Sequence, residues 1–108
     1  MKAIELEIGD WVFYVTKPVQ VLQLDESADY KEIHPIPMTQ NTAEKIGFEN
    51  QGFFGLIAVE GKRCLYDGQR LVIINEEENR KMVEIDCQFV HQLQHALKLC
   101  GINMDFVL

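Results

Sequence analysis

The sequence holds no apolar run approaching the roughly 18–20 residues that a helical membrane span requires, so no such span is expected. Its start, Met1 to Glu7, alternates with charge and lacks the apolar core of a secretory signal. Cysteine is scarce and unpaired: Cys64, Cys87 and Cys100 make an odd count with no Cys-x-x-Cys, which argues against a disulfide framework and for a reducing compartment, hence the cytoplasm. Positive charge is also in short supply. Ten Lys and Arg face 17 Asp and Glu, for a net charge of −7, and no basic run exceeds two residues (Lys62-Arg63, Arg80-Lys81). Binding to a phosphate backbone comes largely from Lys and Arg displacing counterions, so nucleic acid is not the expected main partner. Neither Gly-x-x-x-x-Gly-Lys-Ser/Thr nor Gly-x-Gly-x-x-Gly is present, which removes the common phosphate-cradling loops, and no His-Glu-x-x-His marks a zinc hydrolase. Internal repeats and low-complexity segments are absent as well.

What is present suits one globular domain over 1–108. The length of 108 residues and the apolar fraction of 47% allow a real core without metal or disulfide support. Ala3 to Ile8 alternates apolar and acidic residues, the period of a half-buried strand; Gly9-Asp10 signals a turn; Trp11 to Val15 is rich in aromatic and β-branched residues. Lys17-Pro18 breaks that run, Val19 to Leu24 alternates again, and Tyr30 to Pro37 is extended, because each proline pushes the preceding residue out of the helical region. Phe53 to Val59, Arg63 to Tyr66 and Arg70 to Ile74 are strand candidates separated by Glu60-Gly61 and Asp67-Gly68, pairs suited to tight hairpins. Asn75 to Lys81 is a charged connection, Met82 to Ile85 one more strand or the approach to a helix, and Ile102 to Leu108 a terminal strand.

Two helices are expected. The short one covers about 39–46, with Thr39 as N-cap, Gly47 as the closing glycine and Phe48 as its apolar contact. The long one covers about 87–100, capped by Asp86 and stopped by Gly101. Phe89, Val90, Leu93, Ala96, Leu97 and Cys100 fall on one stripe at helical spacing, leaving Gln88, Gln92, His95 and Lys98 mainly on other faces. The fold class is therefore α+β, a curved antiparallel sheet of SH3-like half-barrel type carrying the two helices.

The run Val90-His-Gln-Leu-Gln-His-Ala-Leu-Lys-Leu-Cys-Gly-Ile102, with Ile8-Gly-Asp-Trp-Val12, Lys17-Pro-Val-Gln-Val21 and Ile36-Pro-Met-Thr39 leading to Gly47-Phe48, resembles a group of small uncharacterised proteins of Bacteroides and related gut bacteria. Members often appear in phage-like or mobile-element contexts. The resemblance covers nearly the whole chain and implies a stand-alone domain in such a setting. It carries no catalytic residues and no cofactor.

Three classes of function compete. His91 and His95 stand one helical turn apart and can approach one metal ion, but Cys87 lies about 12 Å from His95 along the axis, so a metal site needs a third ligand from elsewhere, such as His34, Asp105 or Cys64. Cys87 beside His91, or Cys64 meeting either histidine, is the thiol-enzyme version of the same idea. Trp11 and Phe13 share one strand face and offer bases a stacking surface, as a nucleic-acid-binding small barrel would. The third class is a non-enzymatic protein-interaction module. It would need no metal or other cofactor, and it would present a sheet edge or the outer face of the long helix to a protein partner, with Trp11, Phe13, Gln92 and His95 as candidate contacts. The acidic groups (Glu5, Glu7, Asp10; Asp25, Glu26, Asp29, Glu32; Glu76 to Glu78) would then meet a basic partner.

Overall fold

The computed structural model describes residues 6–14, 16–21, 33–49, 55–59, 61–102, 104 and 106–108. Its architecture is α+β. The elements run β1 (Trp11–Tyr14), β2 (Lys17–Gln20), β3 (Ile33–Pro35), α1 (Gln40–Ile46), β4 (Gly55–Val59), β5 (Lys62–Tyr66), β6 (Arg70–Asn75), β7 (Arg80–Asp86) and α2 (Val90–Leu99). The strands form two antiparallel sheets, one of order β2-β1-β3 and one of order β4-β5-β6-β7. Neither is closed into a barrel.

The first sheet is centred on β1. Trp11 pairs with Gln20 and Tyr14 with Lys17 on one side, while Phe13 pairs with His34 on the other. Lys17 and Pro18 lie inside β2 and do not break it. Pro18 pairs with Phe13 in an edge strand, where a missing N–H leaves no central ladder bond unmade. Alternation on β1 serves two cores: Trp11 and Phe13 join the main one, and Val12 packs with Leu6, Val21 and Ile33 in a smaller one. Of the expected first strand, residues 3–5 lie outside the described set, and Ile8-Gly9 form a turn. The Asp10 N–H donates to the Glu7 carbonyl at 3.1 Å, and Gly9 has φ 95, the arrangement of a type II turn whose third position favours glycine. The expected extended segments at 22–24 and 30–32, the loop at 25–29 and Phe53-Phe54 also lie outside the described residues.

The second sheet is a meander. Asp67-Gly68 does make the β5–β6 turn, with Asp67 Oδ1 accepting from the Gln69 and Arg70 N–H groups at 2.9 and 2.7 Å. The charged segment after Asn75 is the β6–β7 hairpin, and β7 starts at Arg80 and ends at Asp86, so it outruns the expected Met82 to Ile85 at both ends. Cys64, Tyr66, Leu71 and Ile73 from β5 and β6 are fully buried and face α2 residues Val90, Leu93, Ala96 and Leu97 across the main core.

Three helix ends follow the sequence and one does not. Thr39 Oγ1 accepts from the Thr42 N–H at 3.1 Å, and at the far end of α1 the Phe48 N–H reaches back to the Ala43 carbonyl at 3.0 Å, past Gly47 at φ 122. Likewise α2 ends with the Ile102 N–H on the Leu97 carbonyl at 2.9 Å and Gly101 at φ 70. Asp86, however, does not cap α2. It ends β7, paired with Arg70, and α2 begins three residues later than expected, with Phe89 as its N-cap. The intervening backbone is already committed. The Cys87 N–H donates to the Gln69 carbonyl at 2.7 Å, and 88–90 pair with 36–38 through Met38 N–H to Gln88 C=O and Val90 N–H to Ile36 C=O, both 2.8 Å. The capping task passes to Gln92, whose Oε1 accepts from the Gln88 and Phe89 N–H groups at 2.8 and 3.1 Å.

Ile102 to Leu108 is not a strand among its described residues, although its alternation is real. Ile102 is buried, Met104, Phe106 and Leu108 pack against the core, and Val107 points to solvent. Its described residues are held by side-chain packing and not by a ladder. Because Leu93 is fully buried at the centre of the α2 face, Leu93→Ala should lower unfolding free energy by about 2–5 kcal/mol. Urea denaturation measures this, and a loss below about 1 kcal/mol would show that the stripe does not carry the core.

Candidate functional site

The polar chemistry of the described chain gathers where α2 crosses the turn at 7–11. Gln94, His95 and Lys98 sit at adjacent positions of one helix face, and each takes hold of that turn across 83 to 91 residues of chain. Gln94 is used at both ends of its carboxamide: Oε1 accepts from the Trp11 N–H at 2.7 Å and Nε2 donates to the Gly9 carbonyl at 2.9 Å. Lys98 Nζ donates to Glu7 Oε2 at 3.1 Å and to the Ile8 carbonyl at 3.4 Å. That ammonium, with His95 adding to it, holds the Glu7 carboxyl below its ordinary range.

At the centre is Asp10, a fully buried carboxylate. Its Oδ2 accepts from the Glu7 N–H at 2.8 Å and faces His95 Nε2 at 2.8 Å. Its own backbone is tied to the sheet, since the Val21 N–H donates to the Asp10 carbonyl at 2.9 Å. Asp10 Oδ1 is buried with no hydrogen-bond partner among the described residues. Glu7 Oε2 stands 3.6 Å from the same imidazole nitrogen.

The expected site residues are placed differently from one another. His95 belongs to the cluster just described. His91 is buried, stacks on Phe89 with ring centroids 6.0 Å apart, and meets His95 edge-on at 5.6 Å. Among the described residues, the group of potential ligands whose atoms all lie within 4.8 Å of one another is Glu7, Asp10 and His95; neither His34 nor Cys64 joins it, and Asp105 lies outside the described residues. Gln92 is engaged in capping α2, Phe13 is half-buried against the core, and Trp11 is buried with an edge on a cleft. Nothing in the one-dimensional pattern paired Asp10 with His95. Gln94 borders the apolar stripe, but His95 and Lys98 fall well away from it, so helical periodicity carried no signal for the cluster.

The thiols are poor nucleophiles in this fold. Burial, with Cys100 nearby, pushes the Cys64 thiol up to about 11, and burial pushes Cys87 up to about 12. Cys87 does not share a helix face with His91; it precedes the helix, and its Sγ faces the Phe89 carbonyl at 3.6 Å.

The cleft beside the cluster has a volume of about 180 Å³. It is lined by Trp11, Leu97, Ile102, Met104 and Phe106 on its apolar side and by Gly9, Gln20, Gln94 and Lys98 on its polar side. It therefore shares Gly9, Gln94 and Lys98 with the polar clamp. Comparison of the chain with protein-family models, curated proteins and solved structures gives no match.

Two outcomes follow from this geometry. Gln94→Ala strands the Trp11 N–H and should cost about 1–3 kcal/mol in urea denaturation; a change within about 0.3 kcal/mol would show the clamp to be idle. At pH 8 the Cys64 and Cys87 thiols hold on the order of one thiolate per thousand or fewer. Ellman's reagent should reach them only after denaturation, and prompt reaction of either in the native protein would restore the thiol-enzyme reading.

Proposed function

We propose that the protein is a non-enzymatic protein-interaction module, an accessory protein of a phage or mobile element acting in the cytoplasm, and that its contact surface is the cleft between Trp11, α2 and the C-terminal segment. One observation carries the choice of surface. Of the five large apolar side chains exposed among the described residues, four (Ile8, Val19, Leu99 and Val107) stand next in the chain to a cleft-lining residue: Gly9, Gln20, Lys98 and Phe106. Leu99 and Val107 are 79% and 81% exposed, and Ile8 is 61% exposed. Exposed apolar residues whose chain neighbours line a concave site favour a docking surface there. The partner offers an apolar anchor to the cleft, and the net charge of −7 favours a basic surround for that anchor. The mobile-element setting rests on the sequence resemblance alone.

The same geometry weighs against the two other classes. The Trp11 side chain is buried in the main core and offers little free face for a base to stack on. The thiols are held neutral. Among the described residues no helix is long and apolar enough to cross a membrane.

Site-specific photo-crosslinking in the native host tests the proposal. A benzophenone side chain at Leu99 should give a discrete protein adduct that is lost in a Val107→Asp background, whereas the same probe at Glu77, on the β6–β7 hairpin and not next to a cleft-lining residue, should give none. Val107→Asp itself should leave stability within about 0.5 kcal/mol, as for most surface changes. Equal labelling from both positions, or none from Leu99, would reject the surface. Saturable binding of single-stranded DNA at low salt would favour the small-barrel reading instead.

A further inference from the structure

We propose that Glu7, Asp10 and His95 form a binding site for a divalent cation of the zinc type, with Lys98 as the side chain that occupies the approach until the metal displaces it. The inference does not depend on the protein-interaction reading, since it rests on the polar side of the 7–11 turn and not on the cleft.

The spacing fits a small ion. Zinc sits about 2.0–2.2 Å from nitrogen and oxygen ligands in tetrahedral array, which places the ligand atoms roughly 3–3.6 Å from one another. His95 Nε2 is 3.6 Å from Glu7 Oε2 and 2.8 Å from Asp10 Oδ2. The second pair must open by well under 1 Å, and the first is already at its working distance.

A separate feature of Asp10 points to a ligand. Its carboxylate is fully buried, yet Oδ1 receives no hydrogen bond from any described residue. A buried carboxylate oxygen with no donor is costly, and native structures leave few of them. Both oxygens share one carbon, so a cation seated at Oδ2 lies beside Oδ1 as well and relieves the bare atom. The supporting contacts hold this carboxylate still: the Glu7 N–H donates to Oδ2, and Gln94 grips the backbone on either side of it through Gly9 and Trp11. Such outer contacts are what orient metal ligands before the ion arrives.

Charge and access agree. Two carboxylates and one imidazole carry a net negative charge that a single ammonium only partly offsets. Lys98 reaches Glu7 on a flexible stem and is half exposed, so it can swing into water, and Glu7 is exposed on the same side, which leaves an open coordination position for solvent. The imidazole selects against magnesium and calcium, which prefer larger all-oxygen shells.

Isothermal titration of the metal-stripped full-length protein with zinc chloride, read beside the imidazole NMR signals of His95, tests the site. One equivalent should bind, and the His95 ring signals should shift. Glu7→Gln should weaken binding about tenfold or more, while Lys98→Gln should tighten it severalfold by removing the competing cation. Both positions are exposed, so both variants should fold with melting temperatures near the parent's. A purely structural Asp10–His95 pair predicts no zinc response in either variant. Absence of saturable binding would overturn the proposal. So would binding that neither substitution alters, because the ion would then reside on His91 or the thiols.

Discussion

The fold turns on one desolvated carboxylate. Asp10 is carried into the interior at the point where the first sheet meets α2. Removing such a charge from water is expensive unless the protein supplies donors in return. It supplies the Glu7 N–H from the same turn and His95 from the helix, so a single oxygen fixes both the turn's conformation and its distance from α2. Gln94 repeats the constraint through backbone groups, and Lys98 repeats it at the surface through Glu7. Three helix residues therefore read one turn by hydrogen bonds, and the apolar contacts of Trp11 with the main core operate within limits those bonds set.

The second constraint joins the layers. Pro35 and Pro37 keep residues 34 and 36 out of the helical region, and this extended piece has to find partners for its remaining backbone groups. It finds them in residues 88–90, through the Met38–Gln88 and Val90–Ile36 hydrogen bonds. The stretch between β7 and α2 thus links both halves of the protein. The Tyr66 hydroxyl donates to the Cys87 carbonyl and pins this stretch to β5 from the other side. A helix beginning at Cys87 would forfeit all three bonds, which is why good capping chemistry at Asp86 loses to tertiary pairing.

That competition marks the boundary of what the sequence discloses. Features governed by a few neighbouring residues were legible: the Thr39 cap, the closing glycines Gly47 and Gly101, the Asp67-Gly68 turn, and the buried stripe from Val90 to Cys100. Features governed by distant pairing were not. Pro18 reads as a breaker until β2 is known to be an edge, and Ile102 to Leu108 reads as a strand because alternation reports burial on one side and says nothing of a ladder. The site shows the same division. His95 stands out by residue type and helical spacing, and the His91 ring does meet it edge-on. Its carboxylate partners, Asp10 and Glu7, lie more than 80 residues away in the chain, and no local pattern encodes that meeting.

The clamp and the cleft share Gly9, Gln94 and Lys98, so they cannot act as independent sites. Gln94 holds the wall between them, and Lys98 faces both the carboxylate of Glu7 and the open cavity. Any ligand that draws Lys98 away from Glu7 alters the electrostatics at the mouth of the cleft, and any partner that engages Lys98 at the cleft loosens its hold on Glu7. Coupling of this kind is reciprocal: whatever factor a cation at Asp10 contributes to a partner's affinity, the partner must return to the cation. The sign follows from the shared lysine. Both occupants gain from its departure if the partner presents a basic rim, and they oppose each other if the partner needs that ammonium as a contact.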